Sequence, residues 1–415
     1  MLRRVILTGI VILCGLSGCE SQSHSKKLTQ TQWQKTSARV RLNFAEQQYQ
    51  NGQFEEALET VSECVSADPN MPEAYLLSGR ALLAQKQFRK ATSELTKAVE
   101  LDEKLDSGWY WLGVAAEARE NYQQAQTCYA KAMSLRPEDI DYILAAAEVY
   151  FAQDRKDDAV RLLEEKIARM PNEISLKVTC ADFLWQMGND QQAIELYKQA
   201  MLMAGNDYSE DIAESLGYCY IFAGRWDEAA KIFTELSVRC TQQKKNLYLQ
   251  VAALCGMSSG GYGAAVNYYD QLTVTERGNP QVWLKLGQAA LGAGAAGRAV
   301  ECGRKALGLQ PGLAEAIALI GCSQYVSGDY TSAIAEFEKI ATDDKYGAFS
   351  WLMRARCYGR LGKLVKAKLA YQKALEMNPN SELGKFLARD MEKAPLPIEG
   401  GSRLTNWLKK LELLL

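Results

Sequence analysis

Small and large apolar residues recur along this chain with a period much longer than one helical turn. Alanine returns at intervals of 34 residues, with two intervals of 36, at Ala57, Ala91, Ala125, Ala159, Ala193, Ala229, Ala265, Ala299, Ala333 and Ala367. Twelve positions before each of them lies a glycine or another alanine, and four positions after each usually lies a large residue. Small residues let two helix backbones approach closely, and a large side chain fills the gap towards the next pair. The pattern therefore predicts ten successive helix pairs.

Turn signals separate the two helices of a pair. Gly52, Gly224 and Gly328 each precede a repeat alanine by five positions, where glycine can cap a helix, and an aromatic residue follows two positions later. Proline ends several units, as at Pro69 and Pro311, because it cannot continue a helix. Together these residues resemble the tetratricopeptide repeat (TPR) over residues 38–381. The resemblance implies an all-α fold, a right-handed α-solenoid of about ten helix-turn-helix repeats in which each repeat contacts only its neighbours.

The chain departs from the regular repeat in two places, and each departure predicts a local change in structure. The intervals of 36 indicate two-residue insertions near Tyr208–Ser209 and near Lys244–Lys245, which we expect to lengthen loops. The eighth repeat is rich in glycine, and Gly303 stands where other repeats place a large residue. Because each glycine inside a helix costs roughly 1 kcal/mol relative to alanine, we expect a soft segment over residues 287–308.

The N-terminal residues have the order of an export signal. Arg3 and Arg4 precede an apolar run from Val5 to Leu16, which is too short to span a membrane. The run ends in Leu-Ser-Gly-Cys, which resembles the bacterial lipobox, so that residues 1–18 are predicted to be a lipoprotein signal peptide and Cys19 the lipidated residue. The alternative is an ordinary secretory signal followed by an incidental cysteine.

The residues after Cys19 indicate where the anchored chain would be sorted. Glu20 takes the place of the aspartate that retains lipoproteins in the inner membrane, and this resemblance favours the outer membrane, facing the periplasm. Residues 19–37 are polar and lack an apolar period, which predicts a flexible tether.

The C-terminal residues leave the repeat pattern. Residues 382–394 keep helical spacing of apolar side chains and are predicted to be a capping helix. Residues 395–415 form a Pro/Gly linker followed by an amphipathic helix whose apolar stripe consists of Leu404, Trp407, Leu408, Leu411 and Leu415. Three interpretations stay open for this tail: it folds back onto the repeats, binds a partner helix or lies on a membrane.

Composition excludes several classes of function. The 48 basic and 50 acidic residues give a net charge of -2 without a basic block, so a general nucleic-acid binder is not expected. The one histidine, His24, lies in the predicted tether, which leaves the repeats without an imidazole for catalysis or zinc binding. Nine cysteines remain besides Cys14 and Cys19; they form no C-x-x-C motif and suit small buried positions. We therefore expect no metal, no cofactor and no catalytic step.

The resemblance also indicates where a partner would bind. In this family the first helices of the repeats line a concave groove that holds a protein or peptide segment. Carried onto this chain, the groove positions include Leu77, Arg80, Tyr110, Trp111, Phe151, Trp185, Tyr218, Phe222, Tyr325 and Arg356. Exposed aromatic side chains are natural anchors for a peptide, although some of these residues could instead pack between neighbouring repeats.

The sequence thus predicts a lipid-anchored scaffold of the bacterial cell envelope. Such a protein binds protein or peptide segments and assists assembly or secretion, and it touches the membrane through its N-terminal lipid. The alternative is a glycan-directed enzyme or small-ligand receptor of the envelope, which needs two carboxylates at a fixed separation across the groove. The sequence leaves the identity of the partner and the oligomeric state open.

Overall fold

The computed structural model describes residues 32–205 and 209–378, except for the side chains of residues 242 and 243, and they separate into two compact units. Within these residues there are twenty helices and no strand. The first unit ends at Asn189 and holds α1 (32–50), α2 (Phe54–Ala67), α3 (Pro72–Ala84), α4 (Phe88–Leu101), α5 (Asp106–Glu117), α6 (Tyr122–Leu135), α7 (Ile140–Ala152), α8 (Lys156–Arg169) and α9 (Ile174–Gln186). The second unit begins at Asp190 and holds α10 (Asp190–Ala204), α11 (Glu210–Phe222), α12 (Trp226–Arg239), α13 (Gln242–Ser259), α14 (Tyr262–Thr275), α15 (Pro280–Gly292), α16 (Ala296–Leu309), α17 (Ala314–Val326), α18 (Tyr330–Glu338), α19 (Gly347–Arg360) and α20 (Leu364–Met377). The predicted all-α fold of repeated helix pairs is confirmed for the described residues.

In several pairs a small residue on the first helix lies beneath a large one on the second. A Cβ atom added at Gly113 of α5 would lie 2.5 Å from the ring of Tyr129 in α6, so only glycine fits there. The same relation joins Gly217 to Phe233, at 2.7 Å, and Gly321 to Phe337, at 2.8 Å. The large side chain fills space within its own pair and, as predicted, also reaches the first helix of the next pair. The ring centroids of Phe233 and Tyr248 are 6.0 Å apart, and those of Phe337 and Phe349 are 5.9 Å apart. All ten repeat alanines lie in the core.

The turn inside each pair has one residue in the left-handed region of backbone conformation. Glycine fills this position in seven pairs, as at Gly224 with a φ of 69°. The other three pairs place Lys86, Glu120 and Asp154 there, each with a φ of 60°, although side chains disfavour this region. The packing of the two helices therefore imposes the turn even where the sequence lacks glycine.

Successive pairs meet through the second helix of one pair and the first helix of the next, and their first helices also contact each other. Contacts join α3 to α5, α7 to α9, α15 to α17 and α17 to α19, in addition to those between consecutive helices. The first helices within each unit therefore share one face, which we call the first-helix face of that unit.

Two boundary predictions are wrong. Residues 32–37 belong to α1 rather than to the tether, and Thr36 Oγ1 donates to the Gln32 carbonyl at 2.9 Å within that helix. The insertion near Lys244–Lys245 lengthens a helix instead of a loop: α13 has 18 residues, and only Cys240 and Thr241 separate it from α12. The predicted signal peptide, the lipidation site Cys19, the capping helix and the C-terminal tail lie outside the described residues.

Three of the six glycines of the eighth repeat are tightly packed, and the other three have nothing within 4 Å of an added Cβ atom. A Cβ atom at Gly287 would lie 2.5 Å from Leu319, and one at Gly303 would lie 2.6 Å from Ile320. Both partners belong to α17, which supplies the volume that the missing large side chain would have filled. The side chains of α17 thus offset the cost of two of these glycines, and the soft segment over residues 287–308 stays a prediction.

We expect Gly303→Ala to lower the free energy of unfolding by about 1–3 kcal/mol, because the new methyl group collides with Ile320. Urea unfolding followed by circular dichroism measures this change. Gly308→Ala is the matched control on the same helix. Nothing lies within 4 Å of its added Cβ, and it is expected to stabilise by up to about 1 kcal/mol. Equal effects of the two substitutions would contradict the packing described for Gly303.

Candidate peptide-binding surfaces on the first helices

Arg80 of α3 lies between two aromatic rings on the first-helix face of the first unit. Its guanidinium carbon is 4.5 Å from the ring centroid of Tyr49 and 5.5 Å from that of Trp111. Its Nη1 donates to both carboxylate oxygens of Glu46 at 3.1 Å. These contacts join the first helices of three successive repeats, because Tyr49 and Glu46 lie on α1 and Trp111 lies on α5. Arg80 therefore orients the two rings, and its charge is already balanced by Glu46.

Tyr110 and Trp111 are neighbours on α5 with different environments. Tyr110 stacks on Tyr142 with ring centroids 5.0 Å apart and an interplanar angle of 27°, and it meets the edge of Trp111 at 5.4 Å. Burial, followed by the carboxylates of Asp141 and Glu148, raises the pKa of Tyr110. Both rings keep part of their surface exposed. Trp111 is the more suitable anchor, because Tyr110 is packed against a second ring.

Carboxylates surround these rings on the same face. Tyr129 donates its hydroxyl hydrogen to Glu117 Oε2 at 2.9 Å, and the charge of Glu117 acts on Glu148 of α7. Partial desolvation, followed by the charge of Glu117, raises the pKa of Glu148. The contribution of Glu117 indicates that two carboxylate charges lie close together on this face, and such a pair favours cations.

Phe151 and Trp185 continue the first-helix face of the first unit. Phe151 of α7 stacks on Phe183 of α9 with ring centroids 4.2 Å apart and an interplanar angle of 20°. The Nζ atom of Lys156 lies 5.4 Å from the Phe151 ring centroid. Trp185, two residues after Phe183, is partly exposed. The aromatic surface therefore extends from α1 to α9.

In the second unit, Phe222 is the most exposed of the predicted groove residues. It ends α11 and is 69% exposed, while Leu254 of α13 is 47% exposed. Tyr218 lies one turn before Phe222 and packs edge-on against Phe233 at 5.3 Å, which leaves it partly exposed. Phe222 and Leu254 thus give this unit an apolar contact surface.

Two predicted groove residues are buried, and their assignment to the groove is wrong. Leu77 is only 2% exposed and packs with Ala45, Val61 and Cys64, so it belongs to the core. Tyr325 is 9% exposed, because it packs against Tyr330 and lies beneath Arg356, whose guanidinium carbon is 5.7 Å from the ring. Neither side chain offers surface to a ligand.

Arg356 is partly exposed and shares Tyr325 with a second arginine. A hydrogen bond with Tyr325 raises the pKa of Arg360 above its ordinary value. Arg354, on the same helix, is 7% exposed and pairs with Glu338 at 3.3 Å. Of these three arginines, Arg354 is therefore a buried residue whose charge is paired within its own unit.

Sequence reasoning missed the contacts that hold these surfaces. Arg80 and Glu46 are 34 residues apart, as are Tyr248 and Glu214, whose side chains hydrogen-bond at 2.9 Å. A separation of 34 residues is one repeat length, so the two residues of each pair lie at equivalent or nearly equivalent positions of consecutive repeats. Aligning the repeats with each other could have revealed both hydrogen-bonded pairs. Glu46 and Tyr49 in particular were not recognised.

The described cysteines are not reactive groups. The structure describes nine cysteines, and all except Cys240 are buried. Burial raises the pKa of the Cys128 thiol to about 11 and that of Cys180 to about 12, which disfavours the nucleophilic thiolate. The thiols therefore serve as small core side chains.

Candidate sites for other chemistry are few in the described part of the chain. Residues 32–205 and 209–378 contain no group of three or more His, Cys, Asp or Glu side chains that could hold a metal ion. A cleft of about 440 Å³ lies between α2, α3 and α4, and Glu94 is the one carboxylate among its lining residues. None of the helices in these same residues is both long enough and apolar enough to cross a membrane.

Comparison with known proteins agrees with the repeat geometry. Family models for the tetratricopeptide repeat match residues 48–110, 107–139, 213–247, 257–314 and 348–381. The helix pairs are tetratricopeptide repeats. No curated protein sequence matches the chain.

Several solved TPR structures are similar to part of the chain. PilF of Pseudomonas aeruginosa is 15% identical, with a TM-score of 0.40, over 61% of this chain and 96% of PilF. YrrB, described as a TPR protein with an unusual peptide-binding site, is 17% identical, with a TM-score of 0.34, over 39% of this chain and 84% of YrrB. The first TPR of Spaghetti (RPAP3), solved with an HSP90 peptide, is 21% identical, with a TM-score of 0.28, over 29% of this chain and 95% of its own.

We expect Glu210→Gln to destabilise the protein in a pH-dependent way. Lys244 Nζ lies 2.6 Å from Glu210 Oε1, and the Tyr248 hydroxyl donates to the same oxygen at 2.6 Å. The bond from Lys244 and then that from Tyr248 lower the pKa of Glu210 below its usual value. A carboxyl whose pKa is lower in the folded state stabilises it above the unfolded-state pKa, and this contribution is lost as the pH falls through the folded-state pKa. Glu210→Gln should therefore lower the urea midpoint at pH 7 but have little effect in strong acid.

The control for this experiment is Glu301→Gln, which removes an exposed carboxylate on α16. It is expected to unfold like the wild type at both pH values. A loss of stability by Glu210→Gln that is the same at neutral and acid pH would rule out the ionic contribution of Glu210.

Proposed function

We propose that this chain is a TPR scaffold that binds extended protein or peptide segments on the first-helix faces of its two units. The observation that carries the proposal is the set of partly or largely exposed aromatic side chains on those faces: Trp111, Phe151, Trp185 and Phe222. Such side chains provide a large contact area with little loss of conformational entropy. They anchor peptides wherever a rigid scaffold holds them in place.

The charge of the first unit favours a segment that carries lysine or arginine. Glu117 and Glu148 lie on the same face as Tyr110 and Trp111, and their charges act on each other and on Tyr110. A cationic side chain bound there gains from the carboxylates and from the faces of the aromatic rings. Binding of such a segment would lower the raised pKa of Glu148 and is expected to strengthen as the pH rises through that pKa.

The proposal includes an envelope location with a lipid at Cys19. Its support is the sequence alone, an apolar run that ends in Leu-Ser-Gly-Cys and is followed by Glu20. The lipid would hold the protein at the periplasmic face of an outer membrane, where a scaffold assists assembly or secretion. Nucleic acid is not proposed as a partner, because the chain lacks a basic block.

No catalytic step is part of the proposal. The alternative, a glycan-directed enzyme, needs two carboxylates that face each other across a substrate slot. The cleft between α2, α3 and α4 is lined by one carboxylate, Glu94, so it does not supply that pair. The exposed aromatic side chains are better suited to holding a polypeptide than to cleaving a sugar.

We expect the double variant Trp111→Ala, Trp185→Ala to lose capture of partner segments on the first unit. The measurement is site-specific photocrosslinking from a probe at position 148 in living cells, followed by comparison of the crosslinked bands. Loss of two aromatic anchors is expected to weaken binding by about a hundredfold, given roughly 1–2 kcal/mol for each truncated anchor.

The matched control is Trp33→Ala, which removes a tryptophan that is 69% exposed on α1 and was not predicted to line the groove. Its crosslinks are expected to match those of the wild type. If the double variant unfolds at the same urea concentration as the wild type and gives the same crosslinks, the first-helix face is not the binding surface.

The lipid anchor has a separate test. Cys19→Ser is expected to abolish incorporation of a clickable fatty acid into the protein and to release it from the membrane fraction of the cell, because the thiol is the acceptor of the lipid. Cys64→Ser, a substitution in the core of the first unit, should leave fatty-acid incorporation unchanged. Labelling of the Cys19→Ser variant at the level of the wild type would refute the lipobox assignment.

A further inference from the structure

The last described helix, α20, carries large apolar side chains at exposed positions where the other second helices have none. Val365 and Leu369 of α20 lie two residues before and two residues after the repeat alanine Ala367, and they are 85% and 56% exposed. Leu364, beside Val365, is 72% exposed. Leu364 stands three positions before the alanine, where the nine earlier pairs hold a partly or fully buried residue such as Tyr262, so it does not belong to this outward side. We call Val365 and Leu369 the outer patch of α20.

The nine earlier second helices provide an internal comparison. The residue two positions before their alanine is charged, polar or glycine, as at Glu55, Asp157 and Asp227, and it is exposed in every case. The residue two positions after the alanine is charged, polar or alanine, and it is also exposed in every case. These two positions therefore face outward in all ten pairs, and valine and leucine occur there only in the last.

Continuation of the repeat does not cover the outer patch. Each of the nine earlier second helices is followed by another first helix in its own unit, and yet its two outward positions stay exposed. The residue that does pack against its surroundings is one position after the alanine, as with the buried Val160, Ile194 and Val266. In α20 that position holds the exposed Lys368. The apolar side of α20 is thus turned away from the stack.

Lysines flank the outer patch. Lys363, Lys366, Lys368 and Lys373 lie at the start of α20 or along it, and Glu376 is the one acidic residue of this helix. The Lys366 Nζ lies 6.0 Å from the Tyr358 ring centroid, and the Lys373 Nζ lies 4.5 Å from that of Trp351. Exposed apolar side chains between long basic ones are typical of a helix that lies in the interface of a membrane.

We propose that α20 is a lipid-contact helix, which lies on a membrane surface that contains anionic phospholipid. Val365 and Leu369 enter the region between headgroups and acyl chains, and the flanking lysines contact the phosphates. Side chains that protrude from the surface of a helix can insert into a bilayer, whereas a peptide ligand needs a concave groove in which to bind. The opposite charges of lysines and phosphates supply the long-range attraction.

Charge disfavours the other candidate occupants. A symmetric contact between two copies of α20 would bring lysines against lysines. The C-terminal stripe of residues 404–415 contains Lys409 and Lys410 with Glu412, so that its net charge has the same sign as that of α20. Of these occupants, only an anionic lipid surface complements both the apolar and the basic side chains.

This inference goes beyond peptide binding and does not require the lipid at Cys19. Two apolar side chains and the flanking lysines give weak, reversible membrane binding. In a chain that is also anchored by a lipid, the second contact would act at high effective concentration. It would then fix the orientation of the second unit at the bilayer.

The test uses the chain from residue 19 onward with Cys19→Ser, which retains every described residue and carries no lipid. Its partitioning is measured by co-sedimentation with vesicles of phosphatidylcholine alone and with vesicles of phosphatidylcholine and phosphatidylglycerol in equal parts. Binding is expected only to the anionic vesicles and is expected to weaken with salt. Val365→Ser with Leu369→Ser should lower the partition coefficient by about tenfold or more. Lys366→Gln with Lys368→Gln should remove the preference for phosphatidylglycerol.

The matched control is Val274→Ser with Leu309→Ser, which removes one valine and one leucine that are 64% and 44% exposed on α14 and α16. It should partition like the parent chain. Failure of the parent chain to bind anionic vesicles, or equal binding by the Val365/Leu369 variant, would overturn the proposal. So would a dimer in sedimentation equilibrium that the Val365/Leu369 variant dissociates, or a gain of hydrogen exchange over residues 404–415 in that variant. These two results would identify a second copy or the C-terminal tail as the occupant.

Discussion

The structure depends on one close contact, made by a small residue on the first helix of a pair and a large side chain on the second. Where the small residue is glycine, as at Gly113 beneath Tyr129 and Gly217 beneath Phe233, the ring occupies the space that a Cβ atom would need. This contact sets the distance between the two backbones. The pair then behaves as one unit, and the first helices are free to contact each other and to present side chains on a shared face.

The eighth repeat shows that volume matters in this contact more than the identity of the residue. Gly303 offers no large side chain, and the space above Gly287 is filled by Leu319 from the next repeat, while Ile320 packs on Gly303 itself. The eighth and ninth repeats are therefore joined by a contact that other repeats make within one pair. Composition predicts a weak segment here, and the packing of Leu319 and Ile320 offsets that expectation at Gly287 and Gly303.

The spacing of small and large residues was enough to predict the number of helix pairs, their turns and the burial of the repeat alanines. It was not enough to predict exposure on the first-helix faces, because equivalent positions differ in side-chain size and neighbours. Leu77, Trp111 and Leu319 lie at the same position of their repeats, and yet both leucines are buried while the larger indole stays partly exposed. Similarly, the insertion near Lys244 could extend either a loop or a helix. Residues 242–246 contain good helix formers and no glycine or proline, and the helix was extended.

The near-neutral composition conceals surfaces of different chemistry. The chain has a net charge of -2, but the first-helix face of the first unit combines Glu117 and Glu148 with aromatic rings, whereas α20 combines four lysines with exposed aliphatic side chains. In a stack of repeats this separation costs little stability, because each repeat contacts only its neighbours and outward positions are not constrained by packing. A substitution at an outward position therefore changes what a repeat can bind without changing whether it folds. Val365 and Leu369 differ from the residues at the equivalent outward positions of the other repeats. For that reason, they are better evidence of a contact than the total charge or hydropathy of the chain.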